Sequence, residues 1–380
     1  MSAPATSSSD LSAAWRSASA PLTLAYTVLV VYASLYPFEG WVDLGVPIFD
    51  FVLQPWPRYW IASDLIFNVI GYLPLGFLAV MALQRHRPAA SRYTRHALAW
   101  VVAGACLLSL SMETLQNFLP QRVSSNVDWG LNTLGTLLGG ALADGLRRAG
   151  LIERWNGLRR RWFDADARGV LVLMVLWPAA LLFPAAVPLG VGQVAERLSL
   201  TLADWVEGTA YADWISLARM DLEPLTRLTQ AIGVGLGLLL PILLGYAIVR
   251  PWRQRLALMP LVFIMALAVL GLSSAMSYGP GHAWVWLSDS TQVGLAMGLI
   301  GAVAAAFLPR RVCLLLLVLA IGLHVAIVNQ APTSPYLAET LQVWERGQFI
   351  HFNGLAQWMG WLWPFAVLGY ALHRLGRRPG

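Results

Sequence analysis

The run "SDLIFNVIGYLPLGF" carries Asp64 and Asn68 four residues apart, and "DWGLNTLGTLLG" repeats the pair as Asp128 and Asn132. Gly71 and Gly135, and Leu73 and Leu137, follow at matching offsets. On a helix, residues i and i+4 share a face, so each run presents a carboxylate above an amide. Between the two runs lie Glu113 and Gln116 in "ETLQNF", then Arg122. Three carboxylates against one guanidinium leave a nominal charge of −2 if all ionise. That surplus favours a cation, a shared proton or an amine over a bare phosphate. Oxygen-rich side chains suit Mg²⁺ or Ca²⁺, but no spacing here demands a metal, and none is expected. Like charges held in low dielectric more often respond by taking up a proton. Ser109 and Ser111 neighbour Glu113, yet no histidine accompanies them, so no nucleophile constellation is visible. His86 and His96 lie in an arginine-rich stretch, His282 and His351 in other loops, and His324 inside an apolar run, where a hydrogen-bonded core role is expected. No phosphate loop, zinc spacing or nucleotide fingerprint appears, and no cofactor is expected.

The elements that must position these groups are set by composition. The 380 residues are 57% hydrophobic and only 12% charged, about half the charge content of a soluble domain. Apolar runs of about 20 residues, long enough to span a hydrocarbon core, alternate with short polar stretches. Ten spans are predicted: 21–38, 64–83, 97–118, 127–146, 169–189, 229–249, 257–273, 291–308, 312–328 and 355–373. All 26 basic residues are arginines, and 20 of them fall in alternate stretches such as "RHRPAASRYTR" and "RPWRQR". The positive-inside rule then puts both termini in the cytoplasm. The net charge of +6 has this origin; nothing resembles a basic groove with stacking aromatics, so nucleic acid is not an expected partner.

With that topology, Asp64 and Asp128 open the second and fourth helices at the outer face, while Glu113 and Gln116 close the third there and Arg122 follows. Asn68 and Asn132 lie one turn deeper. Gly71, Gly76, Gly135 and Gly139 are expected to let helices approach closely, and Pro74 to bend the second. Two parallel hairpins of this kind place sites at their interface in several transporter folds. Plainer roles stay open. The aspartates complement helix dipoles, Glu113 pairs with Arg122, and the amides bond between helices.

The chain divides into a disordered cytoplasmic tail (1–20), a four-helix unit (21–146), a basic cytoplasmic linker (147–168) and a six-helix unit with large outer loops (169–380). Trp205 and Trp214 suit an interfacial helix within 190–228, and a further surface helix is expected in 329–354. Cys106 and Cys313 sit in apolar runs far apart and read as buried small hydrophobes.

The motifs resemble the VanZ-like family, named for a glycopeptide-resistance accessory membrane protein. The resemblance rests on Asp64, Asn68, Gly71, Pro74 and Gly76; on Glu113 and Gln116; on Arg122 and Ser125; and on Asp128, Asn132 and Gly135. It covers about residues 20–146. It implies a multi-pass protein of the bacterial inner membrane, acting at the cell envelope, with lowered susceptibility to lipoglycopeptides such as teicoplanin as one expected role. The expected architecture is all-α, a polytopic transmembrane bundle of about ten spans. Its site would be an outward-facing acidic and amide pocket for an envelope lipid, a lipid-linked precursor or a small amphiphile. Two alternatives remain: an intramembrane enzyme with Glu113 or Asp128 as general base, and a structural scaffold.

Overall fold

Each apolar run becomes a helix, because a backbone taken out of water must satisfy its own N–H and C=O groups. In the computed structural model these are α1 (Ser19–Leu35), α2 (Asp50–Leu53), α3 (Ala62–Leu83), α4 (Arg92–Gln116), α5 (Asn126–Arg148), α6 (Leu151–Trp162), α7 (Arg168–Leu181) and α8 (Ala195–Val206). They continue as α9 (Arg227–Tyr246), α10 (Trp252–Tyr278), α11 (Asp289–Ala306), α12 (Arg310–Val328) and α13 (Leu355–Gly376). The structure describes residues 19–36, 38, 40–43, 45, 47–56, 62–84, 92–120, 122–163, 167–206, 208–209, 224–249, 251–332 and 355–377. The expected N-terminal tail, Trp214, and the expected surface helix of 329–354 with His351 fall wholly or almost wholly outside these residues, as does His86. Among the described residues there is no strand, only an isolated bridge between Phe163 and Val249.

Among the described residues, six helices are long and apolar enough to cross a membrane: α3, α4, α9, α10, α11 and α12. α1 and α7 are apolar but shorter. The protein is a multi-pass, all-helical membrane protein. One expected segment, 169–189, is helical only to Leu181. Pro184 and Pro188 cannot donate to a helical ladder, and residues 182–194 run irregularly instead.

The chain forms two compact units, residues 1–159 and 160–380. The division falls inside the basic stretch 147–168, which is itself largely helical as α6.

Unit 1 is organised by α3 and α5. An added Cβ on Gly135 would strike the Val69 carbonyl, and one on Gly139 the Leu73 carbonyl. Each pairing spans 66 residues, so the two helices run parallel. The sequence repeat is 64 residues, so the two motifs lie side by side, about 3 Å out of level. Gly76 likewise has the Thr136 carbonyl where a Cβ would go. Gly71 departs from expectation: a Cβ there would meet nothing within 4 Å. Its carbonyl instead accepts the Tyr26 hydroxyl at 2.9 Å, which fastens α1 to α3. At the far end, Gln84 donates to Asp144 at 3.0 Å, and Asp144 pairs with Arg148 one turn on.

Unit 2 is built around α9, most of whose length is buried. It meets α11 through Gly235, Gly294 and Gly298, each with opposing backbone at the place of a Cβ. The irregular 182–194 segment is also enclosed, with Val187, Leu189 and Val191 buried. Non-helical backbone is tolerated in such an interior where protein groups satisfy it. His324 accepts from the Val191 N–H at 3.2 Å and its Nδ1 faces the Gly233 carbonyl at 3.0 Å. The first bond makes Nε2 the acceptor, which leaves Nδ1 as donor. Asn329 accepts from the Val194 and Ala195 N–H groups and donates to the Gly192 carbonyl. His324 is therefore a core residue that clamps a loop, as its setting in an apolar run suggested.

Candidate functional site

The sequence places Glu113 near the C-terminus of α4, where no helix dipole favours an acid. In space its carboxylate lies at the start of α5, where one does. Glu113 is 4% exposed, and its Oε2 accepts the Ser125 N–H at 2.9 Å. Its own carbonyl accepts the Ser124 hydroxyl at 2.6 Å. Ser125 is the N-cap of α5, with Oγ accepting the Asp128 N–H at 3.2 Å. Asp128 is the first-turn acid of that helix and lies near enough to act on Glu113 electrostatically.

One turn back along α4 from Glu113 is Ser109, fully buried. Its hydroxyl accepts from Asn132 Nδ2 at 3.0 Å. Asn132 is 6% exposed, as is Tyr72 of α3. The Asn132 Oδ1 atom and the Tyr72 hydroxyl are both buried without a hydrogen-bond partner. Tyr72 lies against the hydroxyls of Ser109 and Ser34 but not in bonding geometry. So α1, α3, α4 and α5 bring together a carboxylate, two serine hydroxyls, an amide and a phenol, two of whose atoms remain open.

Gln116 and Arg122 do something else. Gln116 donates to the Ser34 carbonyl at 2.9 Å, and Arg122 Nη2 reaches the carbonyls of Ala33 and Tyr36 at 3.2 and 3.3 Å. These carbonyls lie at the C-terminal end of α1, which attracts a cation. The expected Glu113–Arg122 pair is thus replaced by two separate capping arrangements. Burial draws the Arg122 guanidinium below its ordinary pKa, and the Glu113 carboxylate acts in the opposite direction. Asn68 is half-buried on α3, whereas the Asp64 side chain lies outside the described residues. Pro74 is accommodated inside an unbroken α3.

The segment between α1 and α3 folds against this same end. Asn117 donates to the Ile48 carbonyl at 2.8 Å, Asn126 to the Gln54 carbonyl at 2.7 Å, and the Val42 N–H to the Phe118 carbonyl at 2.9 Å. It leaves Trp41, Phe49, Leu53 and Trp56 exposed.

Tyr72 and Ser34 were not singled out in the sequence. Tyr72 had a readable signal, since it follows Asn68 by four residues and so shares its face. Ser34 had none, because its role depends on where α1 docks. Among the described residues, no group of three or more His, Cys, Asp or Glu side chains could hold a metal ion.

A family model described as VanZ/LLP1 matches residues 7–147. No curated protein and no solved structure matches the chain. The match contains every candidate residue named above and stops where α5 ends. Over those residues the N-terminal unit is similar to the VanZ-like family.

Proposed function

We propose that the Glu113 end of unit 1 faces the outer leaflet and binds the polar group of an envelope lipid, a lipid-linked precursor or a small amphiphile. The observation that carries this reading is the pair of open atoms, Asn132 Oδ1 and the Tyr72 hydroxyl, buried beside Ser109 and one turn from Glu113. A buried polar atom without a partner costs about 1–3 kcal/mol, so an arrangement that leaves two is consistent with a ligand group completing it. Oδ1 requires a donor, and the phenol can itself donate. Arg122, already engaged with α1, leaves the cluster rich in acceptors, which suits an amine or hydroxyl headgroup. The exposed Trp41, Phe49, Leu53 and Trp56 at this end offer apolar surface to the rest of an amphiphile.

The arginine distribution supports an inside placement of both termini, ten crossings and an outward-facing Glu113 end in a bacterial inner membrane. The VanZ-like match suggests that the binding bears on lipoglycopeptide susceptibility. Mass spectrometry of lipids retained by the purified protein, compared with an Asn132→Leu variant of equal stability, tests the reading. One lipid or amphiphile class should be enriched in the wild type and depleted in the variant; identical retention in both would refute it.

A specific observation also favours the scaffold reading: Gln116 and Arg122 are spent on helix-end carbonyls. On that reading Asn132 variants lose stability and nothing else. The enzymatic alternative, with Glu113 as base, requires turnover by purified protein that Glu113→Gln abolishes.

A further inference from the structure

The apolar run of α3 that is able to cross a membrane stops at Leu83. Gln84 follows it and donates to Asp144 of α5 at 3.0 Å, so Asp144 marks the level at which that run ends. α5 closes one turn later, at Arg148. The chain then passes through Gly150, whose φ of +67° is the left-handed conformation that ends a helix and redirects the backbone. The Gly150 N–H closes on the Arg147 carbonyl at 3.0 Å, and its own carbonyl accepts the Arg154 N–H at 3.1 Å as α6 begins. Leu151, the first residue of α6, is only three residues past the end of α5, so α6 starts close to the level at which the apolar run of α3 ends.

α6 cannot itself cross a membrane. Its 12 residues make about 18 Å of helix, against a hydrocarbon core of about 30 Å. Its apolar residues nonetheless form one stripe. Leu151, Trp155 and Leu158 follow at spacings of four and three, which puts them on a single face, and they are 42%, 54% and 44% exposed. All three belong to unit 1. Arg154 is also exposed and its position borders the stripe, whereas Glu153, the one acid of the helix, lies on the opposite side. Arg159, Arg160 and Arg161 come in the next turn. Over 147–168, seven arginines stand against three acids, Glu153, Asp164 and Asp166, a surplus of four positive charges. Leucine and tryptophan bordered by arginine, on a helix too short and too polar to span, complement the surface of an anionic bilayer. There the apolar side chains reach the acyl boundary and the guanidinium groups meet lipid phosphate.

We propose that residues 151–158 of α6 form a lipid-docking face, which lies on the leaflet at the Gln84 end of unit 1 and selects anionic phospholipid. Leu151, Trp155 and Leu158 enter the leaflet, and the neighbouring arginines supply the headgroup preference. The face lies at the opposite end of unit 1 from Glu113 and is independent of the function proposed for that site.

The test uses the full-length protein in vesicles of phosphatidylcholine and phosphatidylglycerol at about three to one, an anionic surface of the kind such a helix would meet. A photoreactive benzophenone amino acid replaces Trp155, Leu158 or, as control, Glu153, and mass spectrometry after irradiation identifies what each position touches. Positions 155 and 158 should give phospholipid adducts, and 153 clearly fewer. Among the adducts, the ratio of phosphatidylglycerol to phosphatidylcholine should exceed the bulk ratio about fivefold, the contribution of one arginine near an anionic surface. Arg159→Gln, Arg160→Gln and Arg161→Gln combined should bring it back towards the bulk ratio. The two stripe positions are read independently, so poor insertion of one variant leaves the other to decide. Cross-links only to this chain or to a second copy would show that protein covers the stripe and would overturn the proposal. So would an absence of lipid adducts, equal lipid labelling at 153 and 155, or adducts in the bulk lipid ratio.

Discussion

The tightest constraint in the molecule is the α3–α5 contact, and Gly139→Ala probes it directly. A methyl group at Gly139 would be placed less than 3.0 Å from the Leu73 carbonyl oxygen and close to its carbon and Cα. It would lie more than about 1 Å inside ordinary van der Waals contact, where ~3.5–4.0 Å is favourable. The obstacle is main chain, so no rotamer relieves it; the helices must part. Overpacking of this kind costs about 1–3 kcal/mol. Separation would also strain the two neighbouring contacts, Gly135 on Val69 and Gly76 on Thr136. A cost at or above the upper end of that range is therefore expected, and a double variant with Gly135→Ala should be less than additive. Gly71→Ala is the internal control: it lies on the same α3, but its Cβ meets nothing within 4 Å. Thermal unfolding in detergent, followed by loss of the monodisperse chromatographic peak, should show a clear fall for Gly139→Ala and none for Gly71→Ala. Equal melting temperatures for the two variants would refute the packing argument.

Ser125→Ala removes the N-cap of α5 and should lower stability by about 1 kcal/mol, read from denaturant titration of the intact protein. Arg122→Met strips a donor from two α1 carbonyls, so hydrogen exchange at 30–36 should rise while exchange in the middle of α5 stays unchanged. In unit 2, His324→Leu leaves the Val191 N–H buried and unpaired and takes the imidazole from the Gly233 carbonyl. At about 1–3 kcal/mol for the orphaned N–H, it should be at least as damaging as Ser125→Ala in the same titration.

Helical positions were legible in the sequence because apolar run length and the scarcity of internal charge fix them. Every predicted span coincides with a helix, and the largest misjudged end, at residue 181, is one where prolines interrupt an otherwise apolar run. The gathering of Glu113, Asp128 and Asn132 at one end of unit 1 was also legible, since hairpin topology brings alternate helix ends together. The partners were not. Arg122 and Gln116 look like ligand-binding residues by type, but the carbonyls they cap belong to α1, 80 to 90 positions earlier in the chain. Glu113 looked misplaced against the dipole of its own helix, because a one-dimensional reading cannot show that α5 starts beside it. Gly71 and Gly135 occupy equivalent places in the repeat, yet only Gly135 meets a neighbouring backbone. Sequence equivalence does not specify which face of each helix turns inward. Arg255 read as one more arginine of a polar turn, whereas it is buried and binds four carbonyls.

The most direct test is an experimental density map of the protein purified from its native membrane, inspected at Asn132 Oδ1 and the Tyr72 hydroxyl. A bound ligand predicts connected non-protein density within hydrogen-bond distance of both atoms, extending from the cluster towards Trp56. Side chains that bond to each other, or one isolated water bridging them, would show that unit 1 closes on itself and binds nothing there.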